Sequence, residues 1–144
     1  ARRALYASVA LGCVTESLST ALLIEMRAGA ADPAVRDTLD VILRDEVRHS
    51  RLGWAHLSLA AADGDVSWLA PSVPAMIEAA VATEPAADVL AGEGERAFLR
   101  EHGILAPVDI ARITAATVRG TIAPGLARHG LWPEAPRHSS LYGA

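Results

Sequence analysis

The sequence predicts an all-α protein built on an antiparallel pair of long helices followed by shorter C-terminal helices. Three observations predict it. The chain is 51% hydrophobic but only 4% aromatic, and its richness in Ala, Leu and Val favours packed helices over β-sheet. A period of 3.6 residues runs through 3–27 and again through 33–62. Between these stretches, Ala28-Gly29-Ala30-Ala31-Asp32-Pro33 spells a helix end, a tight turn and a new start. Gly29 suits a helix C-terminus, Asp32 an N-cap and Pro33 the first helical position.

The elements follow in order. The first helix spans 3–27. The second spans 33–62 and stops at Asp63-Gly64. Residues 65–70 form a short connection carrying Trp68. Ser72 caps a third helix over 74–83, closed by Glu84-Pro85. A fourth covers 86–102, interrupted by Gly92 and Gly94 and ended by Gly103. Pro107 opens a fifth that runs to about Arg128, with a kink expected at Pro124 and eased by Gly120 four residues before it. From Leu131 the chain reads as a loose tail. The organisation expected is therefore a helix pair over 1–62, a helical C-terminal extension over 63–130 and an extended tail over 131–144.

Composition bounds the function. A net charge of −4 gives no general electrostatic footprint for nucleic acid. The lone cysteine, Cys13, excludes an intrachain disulfide framework and suits a reducing cytosol, so a cytoplasmic location is expected. The apolar run 18–26 is too short to span a bilayer, and no membrane association is expected. There is no signal peptide pattern, glycine-rich phosphate loop or Gly-x-Ser-x-Gly turn. The chain starts at Ala1 already in helical pattern, as expected of a cut through a longer protein.

The chemistry concentrates in Arg44-Asp45-Glu46-Val47-Arg48-His49, together with Glu16 upstream. Residues three apart share one side of a helix, so Glu46 and His49 project together. Glu16 stands thirteen residues before Gly29, and Glu46 thirteen after Pro33. At 1.5 Å per residue each lies roughly 20 Å from the turn, so in an antiparallel pair the carboxylates meet at one height. Around the helix, Glu16 shares its stripe with Val9, Gly12, Cys13, Ser19, Thr20 and Leu23. Glu46 shares its own with Leu39, Ile42, His49, Ser50, Gly53 and Leu57. Arg44, Arg48 and Arg51 fall on the opposite, wet side. The reading therefore puts Glu16, Glu46 and His49 on the apolar faces, where carboxylates are costly unless paired or metal-bound.

Thr15-Glu16-Ser17 and Asp45-Glu46-Val47-Arg48-His49 resemble the C-terminal half of a ferritin-like di-iron carboxylate protein, over residues 1–62. The resemblance implies a ferritin-like four-helix bundle in which a Glu and a Glu-x-x-His occur twice around two metals. Glu16 matches the lone, bridging carboxylate. Glu46 and His49 match the paired ligands. Asp45 matches a position that hydrogen-bonds a ligand histidine from outside the metal's own ligands. The cofactor implied is iron in a two-metal site, or manganese. The activity implied is an O₂-dependent oxidoreductase acting on a small-molecule substrate, or an iron-oxidising protein. Only one half-motif is present. Either an upstream half supplies the rest, which the missing initiator Met favours, or two copies complete the site as a homodimer. The alternative is a metal-free ferritin-like scaffold in which Glu46 and His49 pair with arginines.

The remaining polar and aromatic residues read more plainly. His56 is expected as a satisfied interfacial histidine and Cys13 as small buried filler. Trp54, Trp68 and Trp132 are expected to pack. Glu78, Glu84, Glu93, Glu95, Glu101 and His102 converge on no site, and His129 and His138 are expected in solvent.

Overall fold

A computed structural model describes residues 1–82 and 92–132 of the chain, all helix and connection with no strand among them. The first long helix is continuous from Arg2 to Gly29. It comprises α1 (Arg2–Ala7), a π-helical segment (Ser8–Thr15) and α2 (Glu16–Gly29). After the turn comes α3 (Pro33–Asp63). The Asp32 carboxylate accepts from the amides of Ala34 and Val35, as the sequence predicts for its cap, with Pro33 in the first turn. Arg27 and Asp40 pair in bidentate fashion across the two helices close to the turn, which fixes the hairpin at its closed end.

The register is shifted by about one turn from the one the counting gives: the Gly12–Gly53, Ser17–Ser50 and Arg27–Asp40 pairings set Glu16 level with residues 49–51 and not with Glu46. Ser17 and Ser50 hydroxyls meet at 3.0 Å. Gly12 and Gly53 face each other so closely that a Cβ on Gly12 would lie 2.7 Å from the Gly53 Cα, and one on Gly53 2.6 Å from the Gly12 Cα. Two glycines therefore set the spacing of the helix axes, because any side chain at either position drives the backbones apart.

Beyond α3, a 3₁₀ turn (Ser67–Ser72) leads into α4 (Val73–Val81). Ser72 precedes α4 but makes no side-chain cap bond, contrary to the sequence expectation. Part of the expected fourth helix is seen as α5 (Glu93–Glu101); its predicted start at 86 lies outside the described residues. Gly103 ends it with φ 72°, the left-handed conformation that glycine adopts without strain. The last helical run is α6 (Pro107–Thr117), a second π segment (Val118–Ile122) and α7 (Ala123–Ala127). Pro124 cannot donate to a carbonyl four residues back, and the widened π turn just before it absorbs the defect.

The extension is not a separate layer. One core joins Leu5, Val9, Cys13, Val14 and Leu18 of the first helix to Leu57 of α3, to Val66, Leu69, Val73 and Met76, and to Ile122, Leu126 and Leu131. Leu131, placed in a loose tail by the sequence, is fully buried in that core; the rest of the predicted tail, from 133, lies outside the described residues. The Trp54 ring fills the space above Gly125, where a Cβ would come within 2.4 Å of it. The first helix packs against α3 and also against α4 and α6, while Leu57 and Trp54 of α3 reach the same core. The span Arg2–Gly29, with a hydropathy of 1.6 in its most apolar window, is long and apolar enough to cross a membrane, which the shorter apolar run at 18–26 did not suggest. In this fold 39% of that window is buried.

Candidate metal centre

The site is built on the stretch where α2 and α3 run side by side. The π segment ends at Thr15, immediately before Glu16. Inserted π turns re-aim the residues that follow them, and they recur at functional sites. Thr15 Oγ1 donates to the Ala10 carbonyl at 3.1 Å, occupying an acceptor of that widened turn. Across the interface, Glu46 and His49 sit one turn apart on α3.

The three side chains predicted from spacing come together. One donor atom each from Glu16, Glu46 and His49 lie within 4.8 Å of one another. The His49 Nδ1 is 4.0 Å from Glu46 Oε2, too long for a hydrogen bond. That Oε2 is buried and has no hydrogen-bond partner. Burial first, then a hydrogen bond and the like charge of Glu46, push the Glu16 carboxyl up to about 7. Two carboxylates crowded together hold a proton that each alone would release.

The burial differs from expectation in one respect. Glu16 and Glu46 are half-buried, but the His49 side chain is 61% exposed, and Ile42 on the same stripe is exposed as well. Glu16 and His49, but not Glu46, line a shallow groove of about 230 Å³ between the helices, together with Leu11, Gly12, Leu52 and Gly53 among others. The periodic apolar stripe of α3 is wider than the strip that the first helix covers. Glu16, Glu46 and His49 fall at the edge of the covered strip, not beneath it.

Asp45 does not reach His49 in the manner the resemblance implies. It is exposed and pairs with Arg48 at 3.3 Å, one turn along. Arg44, Arg48 and Arg51 lie on the exposed side, as expected. His56 is satisfied by Ser8 at 2.7 Å. Cys13 is fully buried, and desolvation pushes its thiol up to about 12, which suits filler and not a ligand thiolate. Trp54 Nε1 donates to Ser17 Oγ at 3.2 Å, and Trp68 stacks under the Arg2 guanidinium at 5.2 Å. His129 is half-buried beside Ser58, 3.5 Å away, and His138 lies outside the described residues.

One polar group passed unnoticed among the small residues of the Glu16 stripe. The Thr20 hydroxyl, one turn beyond Glu16, is buried without a hydrogen-bond partner. By the Ser17–Ser50 and Arg27–Asp40 pairings, Thr20 stands at the level of Glu46. Its i, i+4 spacing from Glu16 was the signal available in the sequence.

Comparison with protein-family models, with curated proteins and with solved structures gives no match. The reading of the site therefore stands on geometry and chemistry alone.

Proposed function

We propose that Glu16, Glu46 and His49 are ligands of one half of a ferritin-like two-metal carboxylate centre, holding iron or manganese, in an O₂-dependent oxidoreductase or iron-oxidising protein. The observation that supports this most directly is the buried, partnerless Oε2 of Glu46 beside a second carboxylate and an imidazole, all within 4.8 Å. A cation held at about 2.0–2.2 Å from each donor needs those donors within roughly 4.4 Å of one another, so a small closure of the side chains suffices. The same cation would replace the proton that Glu16 otherwise retains, and it would supply a partner for the orphaned oxygen.

Mixed carboxylate and imidazole donors suit iron and manganese better than the softer metals. Such a pair of metals supplies the electrons and open positions for reaction with O₂. The chain's own contribution is to hold the donors. The π turn aims Glu16, the Gly12–Gly53 contact fixes the distance between the ligand-bearing helices, and Leu11 and Leu52 flank the groove with apolar surface. The O₂ chemistry and the small-molecule substrate belong to this proposal.

A second reading has its own support. The approach of His49 to Glu46 at 4.0 Å and the proton retained by Glu16 satisfy part of the cluster without metal, consistent with a metal-free helical scaffold. Elemental analysis after expression with iron supplied separates the two. The proposal expects about one iron or manganese per chain, lost in Glu46→Ala and His49→Ala with helicity retained. Metal content near zero in the parent protein would select the scaffold.

A further inference from the structure

At the end of the helix pair opposite the turn, α1, the last turns of α3 and the 3₁₀ turn line a groove of about 620 Å³, which has no residue in common with the Glu16, Glu46 and His49 cluster. Small-molecule sites have volumes of about 300–1,000 Å³. The geometry points to this groove as a site for a small hydroxylated amine, with a cationic head, a short apolar body and a hydroxyl at the far end. The site is independent of the metal reading.

The first ground is a pair of polar groups without protein partners. The Asp63 carboxylate lines the groove and enters no ion pair or hydrogen bond among the described residues. Its neighbour Asp65 is bonded at 2.9 Å by both the amide and the hydroxyl of Ser67. His56 commits Nδ1 to Ser8 at 2.7 Å, which leaves Nε2 without a partner among the described residues. Asp63 and His56 stand seven residues apart on α3, on one helix face and about 10 Å from each other. A ligand that meets both carries its polar groups at opposite ends.

The second ground is what lies between those ends. Leu59 and Ala60 fill the interval on α3, and Leu5 and Val66 complete an apolar lining. Leu5 and Val66 are buried, whereas Leu59 is 70% exposed. An apolar body laid along the groove covers Leu59 and removes that surface from water.

The third ground is charge. Arg2 lies over the Trp68 ring at 5.2 Å and close to Asp65, whose charged form it favours. Arg2 and Asp65 thus offset each other within the groove wall, and Asp63 remains for the charge of a ligand. An ammonium group suits it, whereas a carboxylate in the same place meets two like charges, Asp63 and Asp65. At the far end, the His56 Nε2 donates or accepts according to its tautomer. A hydroxyl serves either role, as the Ser8 hydroxyl does at Nδ1.

NMR titration of the full chain in the presence of chelator tests this with tyramine, whose ammonium and phenol groups stand at opposite ends of one small molecule. The expected result is saturable binding with a dissociation constant on the order of 1 mM. The shifts should centre on the Gly64 amide and the Trp68 indole, both in the groove wall. Phenethylamine, which lacks the hydroxyl, should bind roughly threefold more weakly. Hydroxyphenylpropionate, with a carboxylate in place of the amine, should bind roughly tenfold more weakly or not at all. Asp63→Asn should weaken tyramine binding roughly fivefold, while Asp37→Asn, the loss of an exposed acid elsewhere on α3, should leave it unchanged. Both positions are solvent-exposed, and circular dichroism checks that the variants fold. Absence of a saturable shift would overturn the site. Equal binding of hydroxyphenylpropionate would overturn the cationic head, and equal binding of phenethylamine the hydroxyl end, each taking the proposal with it. Tyramine binding that ignores Asp63→Asn, or that weakens equally in Asp37→Asn, would place the effect outside this groove and overturn it as well.

Discussion

The helix pair has two sides, and they treat the same kinds of residue differently. On the core side, Val9, Cys13, Val14 and Leu57 are fully buried. On the other side, Leu11, Leu52 and Leu59 are 59–70% exposed around Glu16, Glu46 and His49. Leu52 and Leu57 are five residues apart on one helix, and by composition nothing distinguishes them. The closed side is finished by residues from the C-terminal helices, Ile122, Leu126 and Leu131. The open side keeps its apolar surface and its charges together. An apolar face thus states that a helix wants covering; it does not state by what.

The largest expected effect lies at the plane where the two sides meet. Gly12→Val or Gly53→Val places a branched side chain where even a Cβ would come within 2.7 Å of facing backbone. Each should cost roughly 3 kcal/mol or more, since a rigid backbone cannot yield as a side chain can. Urea melts followed by circular dichroism measure this, and a loss below about 1 kcal/mol would show that the helices are not held at this spacing. Close behind comes a paired comparison. Leu57→Ala should cost about 3 kcal/mol by leaving a cavity, whereas Leu52→Ala in the metal-free chain should change stability by less than about 0.5 kcal/mol. Equal losses would mean that the open side is closed in solution even without metal.

These contrasts show how far the sequence could be read. The hairpin was legible because its signals are local. Gly29, Asp32 and Pro33 punctuate the turn, whereas the equal counts of thirteen from Glu16 and to Glu46 place the two residues at one height when the pairings leave them about one turn apart. Glu16, Glu46 and His49 still converge within 4.8 Å, because Glu46 and His49 are one turn apart on α3 and Glu16 stands level with the His49 end of that turn. The exposure of His49 and Ile42 was not legible, because periodicity assigns a residue to a stripe without giving the width of what lies over it. Leu131 was lost for the opposite reason: a polar, proline-rich neighbourhood hid one leucine that tertiary packing claims for the core. Ser72 looked like a cap by residue type, yet its side chain bonds no amide of α4. The π segment over Ser8–Thr15 has no residue signature, since it differs from an α-helix by where each amide bonds and not by side-chain preference. The resemblance that singled out Asp45 supplied a role that the side chain, paired with Arg48, does not fill.

A smaller effect tests the crowding on the open side. The Glu16 carboxyl ordinarily titrates near 4.5 and is pushed up to about 7 by burial and by Glu46. Between those values the metal-free folded chain keeps a proton that the unfolded chain has released. Stability should therefore fall as pH rises through about 4.5 to 7, and level off above. After allowance for solvent screening at a half-buried group, the loss is on the order of 1 kcal/mol. Glu16→Gln keeps the shape and removes the titration. Its stability should be flat across that window, and a wild-type slope retained in Glu16→Gln would assign the effect to another group. On the closed side, Leu57→Ala should shift the whole curve down without changing its pH dependence.

The smallest effect is the most specific. The Thr20 hydroxyl is buried with no partner, and a polar group left unmatched in the interior destabilises by about 1–3 kcal/mol when nothing compensates. Thr20→Val keeps the branched shape and deletes the hydroxyl. In a purely structural setting the substitution should therefore be neutral or should stabilise the metal-free chain by up to about 1 kcal/mol. Thr20 also stands at the level of Glu46, whose Oε2 is likewise partnerless. If that hydroxyl donates to the Glu46 carboxylate once metal is bound, Thr20→Val should weaken metal binding while Thr20→Ser preserves it. Melts without metal and titrations with Mn²⁺ on the same three proteins separate the outcomes. A variant that is more stable empty and equally tight with metal would make Thr20 a packing residue of the closed side that happens to border the open one.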